Sequence, residues 1–254
     1  MTAVQTKTQR YRLLDSFRGI TVISMIAYHL VWDLVYIFRL PWTWFYGYGS
    51  YVWQQSICWS FILLSGFCWS MGRRKIKRGL QVFVCGGLVS GATLLFMPEQ
   101  AVIFGVLTML GSCMLLQVLT QPLWKRCNAY AGFFCALAAF LLTKHINDGF
   151  LGIGTLQLVQ LPRWLYSGYL TAYFGFPQAS FSSADYFSLF PWYFLFLTGY
   201  FLYRLAGSRD LLSHLPNPRI PVLEWVGRHA IEIYMVHQPV VYVVLTVIFL
   251  LKRQ

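Results

Sequence analysis

The sequence predicts an all-α fold, a polytopic bundle of about seven transmembrane helices within a range of six to eight. Of its 254 residues, 57% are hydrophobic and only 11% are charged, whereas a soluble domain carries about 25% charged residues. Several apolar runs also approach the ~20 residues that a helix needs to cross a hydrocarbon core of ~30 Å. Both observations indicate that the main partner of this chain is the lipid bilayer.

The hydropathy pattern divides the chain into seven apolar stretches within a single integral-membrane domain, 1–254. Polar or basic connections separate them, as is typical of membrane-spanning helices. The pattern leaves a basic N-terminal segment, 1–18, and one long loop, 144–186. The predicted spans are 19–38, 52–71, 80–97, 101–120, 128–143, 187–204 and 230–250.

The basic residues predict how the chain is oriented. With the N-terminus in the cytoplasm, fifteen of the twenty Lys and Arg residues lie on the cytoplasmic side, as the positive-inside rule requires. The formal net charge of +12 therefore indicates the orientation of the chain in its membrane, and no nucleic-acid partner is expected. The loop 144–186 is then extracytoplasmic. The five basic residues on the outer side are Arg39, Lys144, Arg163, Lys252 and Arg253.

The first span carries ionisable residues on one helical face. Arg18 lies at its basic end, and His29 is eleven residues further on, about 16 Å deeper in a helix. Asp33 follows His29 at i+4, so its carboxylate is expected to hydrogen-bond the imidazole and fix which nitrogen stays free. A base oriented by a carboxylate is the arrangement that acid–base catalysis requires. The alternative is that the two side chains only satisfy each other in the core, but their cost in a membrane favours a function.

The last span repeats this pattern. Arg228 lies at its cytoplasmic end, and His237 is nine residues further on, about 13 Å deep. Glu232, at i+4 from Arg228, is expected to pair with it. The two imidazoles, those of His29 and His237, are predicted to face each other below a mouth lined by Arg18 and Arg228. The sequence leaves open which histidine is the base.

Two outer segments are candidates for binding an acceptor. The aromatic run 41–49, with Trp44 and Tyr48, predicts an interfacial belt, and its alternative function is to stack against a sugar ring. The loop 144–186 is longer than loops that merely connect two helices usually are. We expect its Asp185 to contact an acceptor. Its apolar piece, 150–161, is too short to span and is predicted to be re-entrant or interfacial.

The basic run 73–78 admits two interpretations. Positive-inside orientation or attraction to anionic lipid explains it without a ligand, while Arg73 and Arg74 are candidates for binding the phosphates of a cytosolic ligand. The six cysteines lie in or beside apolar spans, with no CxxC pair and no histidine at ligand spacing. We therefore expect no metal site.

Five segments resemble the bacterial relatives of heparan-α-glucosaminide N-acetyltransferase and the wider membrane acyltransferase superfamily. The segment 12–20 has the form Arg-Leu-Leu-Asp-Ser-Phe-Arg-Gly-Ile, and 227–239 has the form Gly-Arg-His-Ala-Ile-Glu-Ile-Tyr-Met-Val-His-Gln-Pro. Arg18 and His29 match an Arg-Gly…His signature in which the histidine is regarded as catalytic. The five matching segments are 12–20, 28–34, 104–111, 184–192 and 227–239.

This resemblance implies a membrane acyltransferase that passes an acetyl group from cytosolic acetyl-CoA to an amino sugar or other carbohydrate at the outer face. Together with the residue pattern, it leads to the hypothesis that Arg18 and Arg228 hold the CoA phosphates and that His29, Asp33 and His237 carry out the chemistry. The alternative from another class is a proton-coupled transporter of small solutes, in which the buried groups relay protons. No internal repeat of the kind found in many transporters is evident in the sequence. The oligomeric state stays open.

Overall fold

The computed structural model describes residues 11–209, 211 and 218–252. Lys7, Arg10 and Arg253, which the orientation argument counted, lie outside the described residues, as does most of the predicted N-terminal segment. Nine α-helices and one two-stranded sheet make up the described part. The helices are α1 (Arg12–Tyr36), α2 (Tyr48–Trp69), α3 (Lys75–Phe96), α4 (Val106–Arg126), α5 (Ala129–Thr143), α6 (Tyr169–Phe174), α7 (Leu189–Ser208), α8 (Pro221–Arg228) and α9 (Ala230–Leu251), and the strands are β1 (Phe150–Ile153) and β2 (Leu156–Gln160).

Each of the seven predicted spans coincides with one long helix. Within the described residues, five helices are long and apolar enough to cross a membrane by length and composition alone: α1, α3, α4, α5 with the turn that follows it, and α9. The other two, α2 and α7, are of similar length but contain several Trp and Tyr residues, whose polar atoms lower the mean hydropathy. The predicted all-α membrane fold is confirmed.

The chain divides into two compact units, one formed by Met1–Cys58 with Asp210–Gln254 and the other by Trp59–Arg209. In the first unit, α1 packs against both α8 and α9. The contact of His29 with His237, and further along that of Phe38 with Phe249, show that α1 and α9 run parallel. Two parallel spans require an odd number of crossings when counted from one to the other, which agrees with the seven spans predicted from α1 to α9.

Two glycines allow α1 and α8 to approach closely. A Cβ atom on Gly227 of α8 would overlap the carbonyl oxygen of Asp15, and one on Gly19 of α1 would overlap that of Leu223. Each helix therefore presents a backbone surface to the other, as small residues do where membrane helices cross. This crossing holds Arg18 next to the end of α8.

In the second unit, α3 packs on α4, and α7 packs on both α4 and α5. Side chains satisfy the exposed backbone groups at the α4–α5 junction. The Arg204 guanidinium donates to the carbonyl oxygens of Trp124 at 2.6 Å and Cys127 at 3.0 Å. The Asn128 side chain accepts from the backbone N–H of Tyr130 at 2.9 Å, which caps α5.

The apolar piece 150–161 of the long loop is an antiparallel β-hairpin. β1 pairs with β2 across the two-residue turn at Gly154, whose φ of 59° is one that glycine adopts without strain. Every residue of β2 is exposed. An open sheet edge leaves backbone groups that hydrocarbon cannot satisfy, which favours the interfacial alternative over the re-entrant one.

Candidate active site

One face of α1 turns towards α8 and α9, as its pattern predicts. Val22 and Asp33 on this face are 0% exposed and Met25 is 4% exposed. The ionisable residues of the same face contact the two partner helices, Arg18 reaching α8 and His29 reaching α9. The predicted site residues of the first unit are therefore arranged along a buried helix interface.

His29 and His237 lie against each other between α1 and α9. Their ring centroids are 5.0 Å apart and the rings are inclined at 57°. His237 is 7% exposed, and His29 is half-buried. Polar rings inside a membrane bundle are costly, and those that are retained usually serve binding or proton transfer. This pair is therefore the candidate for the chemical centre of the site.

The hydrogen bond of His237 defines which of its nitrogens is basic. Nδ1 lies 2.6 Å from the carbonyl oxygen of Tyr234. A carbonyl oxygen can only accept, so Nδ1 carries the proton and, in the neutral ring, Nε2 keeps its lone pair. Nε2 is buried and finds no hydrogen-bond partner among the described residues. It is thus placed to accept a proton from a bound group.

Asp33 does not orient His29 in the way that the spacing predicts. Its Oδ1 accepts from Nε2 of Gln238 at 2.7 Å, and its Oδ2 has no hydrogen-bond partner within the part of the chain that the structure describes. The expected hydrogen bond between Asp33 and His29 is therefore wrong. A residue of α9 takes the carboxylate, because the packing of two helices brings Gln238 to it. The sequence offered one feature that could have indicated this contact, an amide side chain next to His237 in an apolar span.

Arg18 and Arg228 occupy the end of the site where α8 lies. Nη1 of Arg18 is 3.1 Å from Oδ1 of Asp15 and 3.4 Å from the carbonyl oxygen of Gly227. Arg228 is exposed, and its Nε donates to the carbonyl oxygen of Glu224 at 3.0 Å. Both guanidinium groups thus lie near the junction that precedes α9.

The sequence predicted an ion pair between Arg228 and Glu232. The described residues form no such pair. The prediction assumed one continuous helix. The chain instead breaks at His229, whose φ of −99° and ψ of 27° separate α8 from α9. The i,i+4 geometry on which the pair depended is therefore lost.

The predicted phosphate-binding residues Arg73 and Arg74 lie in the second unit. Both are exposed and precede α3. Lys75, which follows them, places Nζ 3.8 Å from the centroid of the Trp69 ring, a cation–π contact that fixes the start of this helix. The exposed arginines suit the positive-inside interpretation and the ligand interpretation equally.

The aromatic run 41–49 has one buried anchor and exposed neighbours. Phe45 is 3% exposed and packs with Tyr28 and Tyr36. Trp44 and Tyr48, the predicted acceptor-binding residues, are 55% and 79% exposed. Exposed rings on a buried anchor fit an interfacial belt and also a stacking surface for sugars.

Asp185 caps helix α4. Its Oδ2 accepts from the backbone N–H of Val106 at 3.3 Å, at a helix end where a carboxylate is favourable. The adjacent Tyr186 donates its hydroxyl to the carbonyl oxygen of Ala172. Burial raises the pKa of Tyr186 to about 12, so this hydroxyl remains a donor at neutral pH. Asp185 and Tyr186 are therefore both fixed in place by hydrogen bonds to other segments of the second unit.

Replacing Asp185 by alanine is expected to lower the free energy of unfolding by about 1 kcal/mol through loss of this cap. For a chain of this size the midpoint of thermal unfolding should fall by about 2–4 °C. Asp185→Asn keeps an accepting oxygen and should leave the midpoint unchanged. An Asn variant that unfolds at the wild-type temperature would show that the accepting oxygen supplies the cap, and one that unfolds as early as the Ala variant would contradict it.

No metal site is found within the described residues, where no three His, Cys, Asp or Glu side chains are placed to hold an ion. The candidate site brings together an imidazole pair, a carboxylate–amide pair and two guanidinium groups on α1, α8 and α9. Such polar groups inside apolar helices are typical of membrane enzymes and transporters.

Fold and site define a polytopic helical membrane protein with buried acid–base groups. Comparison with protein families resolves the class further. The model of the family "Heparan-alpha-glucosaminide N-acetyltransferase, catalytic" matches residues 10–239, and the chain belongs to this family, as the sequence motifs predicted. Membership places it among membrane acetyltransferases. No curated protein and no solved structure matches the chain.

Proposed function

We propose that the protein transfers an acetyl group from cytosolic acetyl-CoA to an amino sugar or other carbohydrate at the outer face of the bacterial cytoplasmic membrane. One observation carries the proposal: the rings of His29 and His237 meet within a buried helix interface, and Nε2 of His237 is left as an accepting nitrogen. Family membership supplies the reaction class.

The chemical step requires a base near the reacting carbonyl. Nε2 of His237 takes a proton from the acceptor amine or hydroxyl, which attacks the thioester carbon. The carbon–sulfur bond breaks, and the CoA thiolate receives the proton from the imidazolium, which restores the neutral ring. In a two-step variant a neutral nitrogen of His29 attacks the thioester carbon and the CoA thiolate leaves. The acceptor then displaces His29 from the acetyl group, and the acceptor's proton passes through Nε2 of His237 to the thiolate. Both routes conserve protons and electrons without a metal.

The cytoplasmic end is proposed to bind the CoA phosphates through Arg18 and Arg228. Arg228 is exposed, whereas Arg18 is already paired with Asp15, so the first contact of an anionic ligand is expected at Arg228. Arg73 and Arg74 as further phosphate ligands, and Trp44, Tyr48 and Asp185 as acceptor contacts, remain part of the proposal.

The Arg228→Gln substitution is expected to raise the KM for acetyl-CoA about tenfold and to leave kcat nearly unchanged, because it removes binding that ground state and transition state share. The KM of the wild type should rise with ionic strength, and that of the variant should rise less. Arg39→Gln serves as the control, since Arg39 is an exposed arginine beyond the other end of α1. An equal rise in KM for both variants would exclude a specific phosphate contact.

Turnover by the purified protein in detergent tests the proposal. Free CoA release is measured with acetyl-CoA alone and with added glucosamine or other amino sugars and hydroxyl-bearing carbohydrates. Release that depends on an acceptor, with acetylated product, supports acetyl transfer. Solute-coupled proton flux in vesicles without acetylated product would contradict it and favour the transporter.

A further inference from the structure

The hydrogen bond between Gln238 and Asp33 joins the two helices that carry the histidines. Nε2 of Gln238 donates to Oδ1 of Asp33 at 2.7 Å, and Asp33 is fully buried. A hydrogen bond to a carboxylate in a low-dielectric interior is among the stronger side-chain interactions. It lies directly beside the imidazole pair, since Gln238 follows His237 and Asp33 lies one turn after His29.

The contacts of His237 with Tyr234, one residue of its own helix, cannot set its distance from His29. The bond from Nδ1 to the carbonyl oxygen of Tyr234 stays within α9 and fixes only the orientation of the ring on its own helix. Just beyond the end of α1, the ring of Phe38 stacks on that of Phe249 of α9. Ring contacts of this kind are less directional than a hydrogen bond, so they tolerate sliding between helices.

Proline makes this turn of α9 depend on side-chain contacts. Pro239 has no backbone N–H and lies inside α9, so the carbonyl of Met235 loses its usual partner and the helix is weakened there. Gln238 immediately precedes this point. The bond to Asp33 therefore anchors a locally weak turn to the neighbouring helix.

We propose that Gln238 is a positioning residue, which through its hydrogen bond to Asp33 holds His237 of α9 against His29 of α1. This inference rests on the proposed acetyl transfer and deepens it. Asp33 then acts through Gln238, and not by orienting His29. Loss of the hydrogen bond between Gln238 and Asp33 misplaces the catalytic nitrogen of His237 without removing it. A misplacement of about 1 Å can lower a rate about 100-fold.

Kinetics of four variants test this role. Gln238→Leu should lower kcat about 10- to 100-fold and leave the KM for acetyl-CoA within about twofold, because the phosphate contacts are untouched. Asp33→Asn keeps an accepting oxygen and should be milder. Gln238→Glu sets two carboxylates against each other and should be as slow as Gln238→Leu. Val240→Leu, on the exposed side of α9, is the control and should match the wild type.

The reciprocal exchange separates positioning from general damage. When Asp33→Asn is combined with Gln238→Glu, the amide introduced at position 33 can donate to the carboxylate introduced at position 238. The double variant should therefore be at least about tenfold faster than Gln238→Glu alone, which corresponds to an activation free energy lower by ~1.4 kcal/mol. A double variant no faster than that single variant, or a Gln238→Leu variant with wild-type kcat, would overturn the proposal.

A second measurement does not depend on turnover. The rate at which diethyl pyrocarbonate modifies His237, read from peptide masses, should rise severalfold in Gln238→Leu, because the ring is released from its packed position. Modification of His229 should be unchanged. Equal rates at His237 in wild type and variant would overturn the positioning role, whereas a wild type without acetyl transfer would overturn only the proposed function.

Discussion

Replacing His237 by alanine is expected to lower the rate of acetyl transfer about 10²- to 10⁴-fold, the usual contribution of a general base. The same substitution of His29 should have a comparable effect, because the two rings form one unit at a centroid distance of 5.0 Å. For such a unit the double variant should be little slower than either single variant. Initial rates of CoA release with a saturating acceptor provide the measurement.

His229 offers a matched control for the histidine variants. Like His237 it lies in the first unit, and its Nδ1 is 2.9 Å from a backbone carbonyl oxygen, that of Trp225. It contacts the Trp225 ring and has no place in the proposed chemistry. His229→Ala should retain nearly full activity. Comparable losses in all three variants would show that the effect comes from folding, and near-wild-type rates in His29→Ala and His237→Ala would contradict the catalytic role.

Introducing a methyl group at Gly227 is expected to lower the free energy of unfolding by about 2–3 kcal/mol. The added Cβ overlaps the carbonyl oxygen of Asp15, and a helix backbone cannot give way as a side chain does. Either α8 moves away from α1 or the contact strains both helices. Gly19→Ala should act in the same way at Leu223. The midpoint of thermal unfolding in detergent measures both effects.

Gly87 is the control for the glycine variants. It lies in α3, is exposed, and a Cβ there would meet nothing within 4 Å. Gly87→Ala should leave stability unchanged or raise it by up to ~1 kcal/mol through helix propensity. If Gly227→Ala unfolds at the same temperature as Gly87→Ala, the close crossing of α1 and α8 does not exist as described.

The sequence was sufficient to predict the helices and the face on which the site lies. Apolar runs of membrane length and the repeated spacing of polar residues depend only on local geometry. Arg18, His29 and Asp33 therefore fall on the buried face of α1 as expected. The partner of His29 across the interface also followed from matching depths in the first and last spans.

Features that depend on packing or on local breaks were not predictable in this way. Gln238 reaches Asp33 only because α1 and α9 pack in parallel at one register, which no spacing within α1 reveals. The break at His229 removes the expected pair of Arg228 with Glu232. The residue at this position is neither proline nor glycine, so the sequence gives no sign of the break. The hairpin formed by β1 and β2 was hidden because short apolar strands and interfacial helices have similar composition.

The most direct test of acetyl transfer across the membrane uses the protein reconstituted into sealed vesicles. Acetyl-CoA labelled in the acetyl group is added on the side of the Arg18 end, and glucosamine is enclosed on the other side. The account predicts labelled N-acetylglucosamine inside the vesicles and free CoA outside, with neither formed by His237→Ala. Labelled acetyl groups that stay on CoA, with every amino sugar and hydroxyl-bearing carbohydrate enclosed, would contradict it.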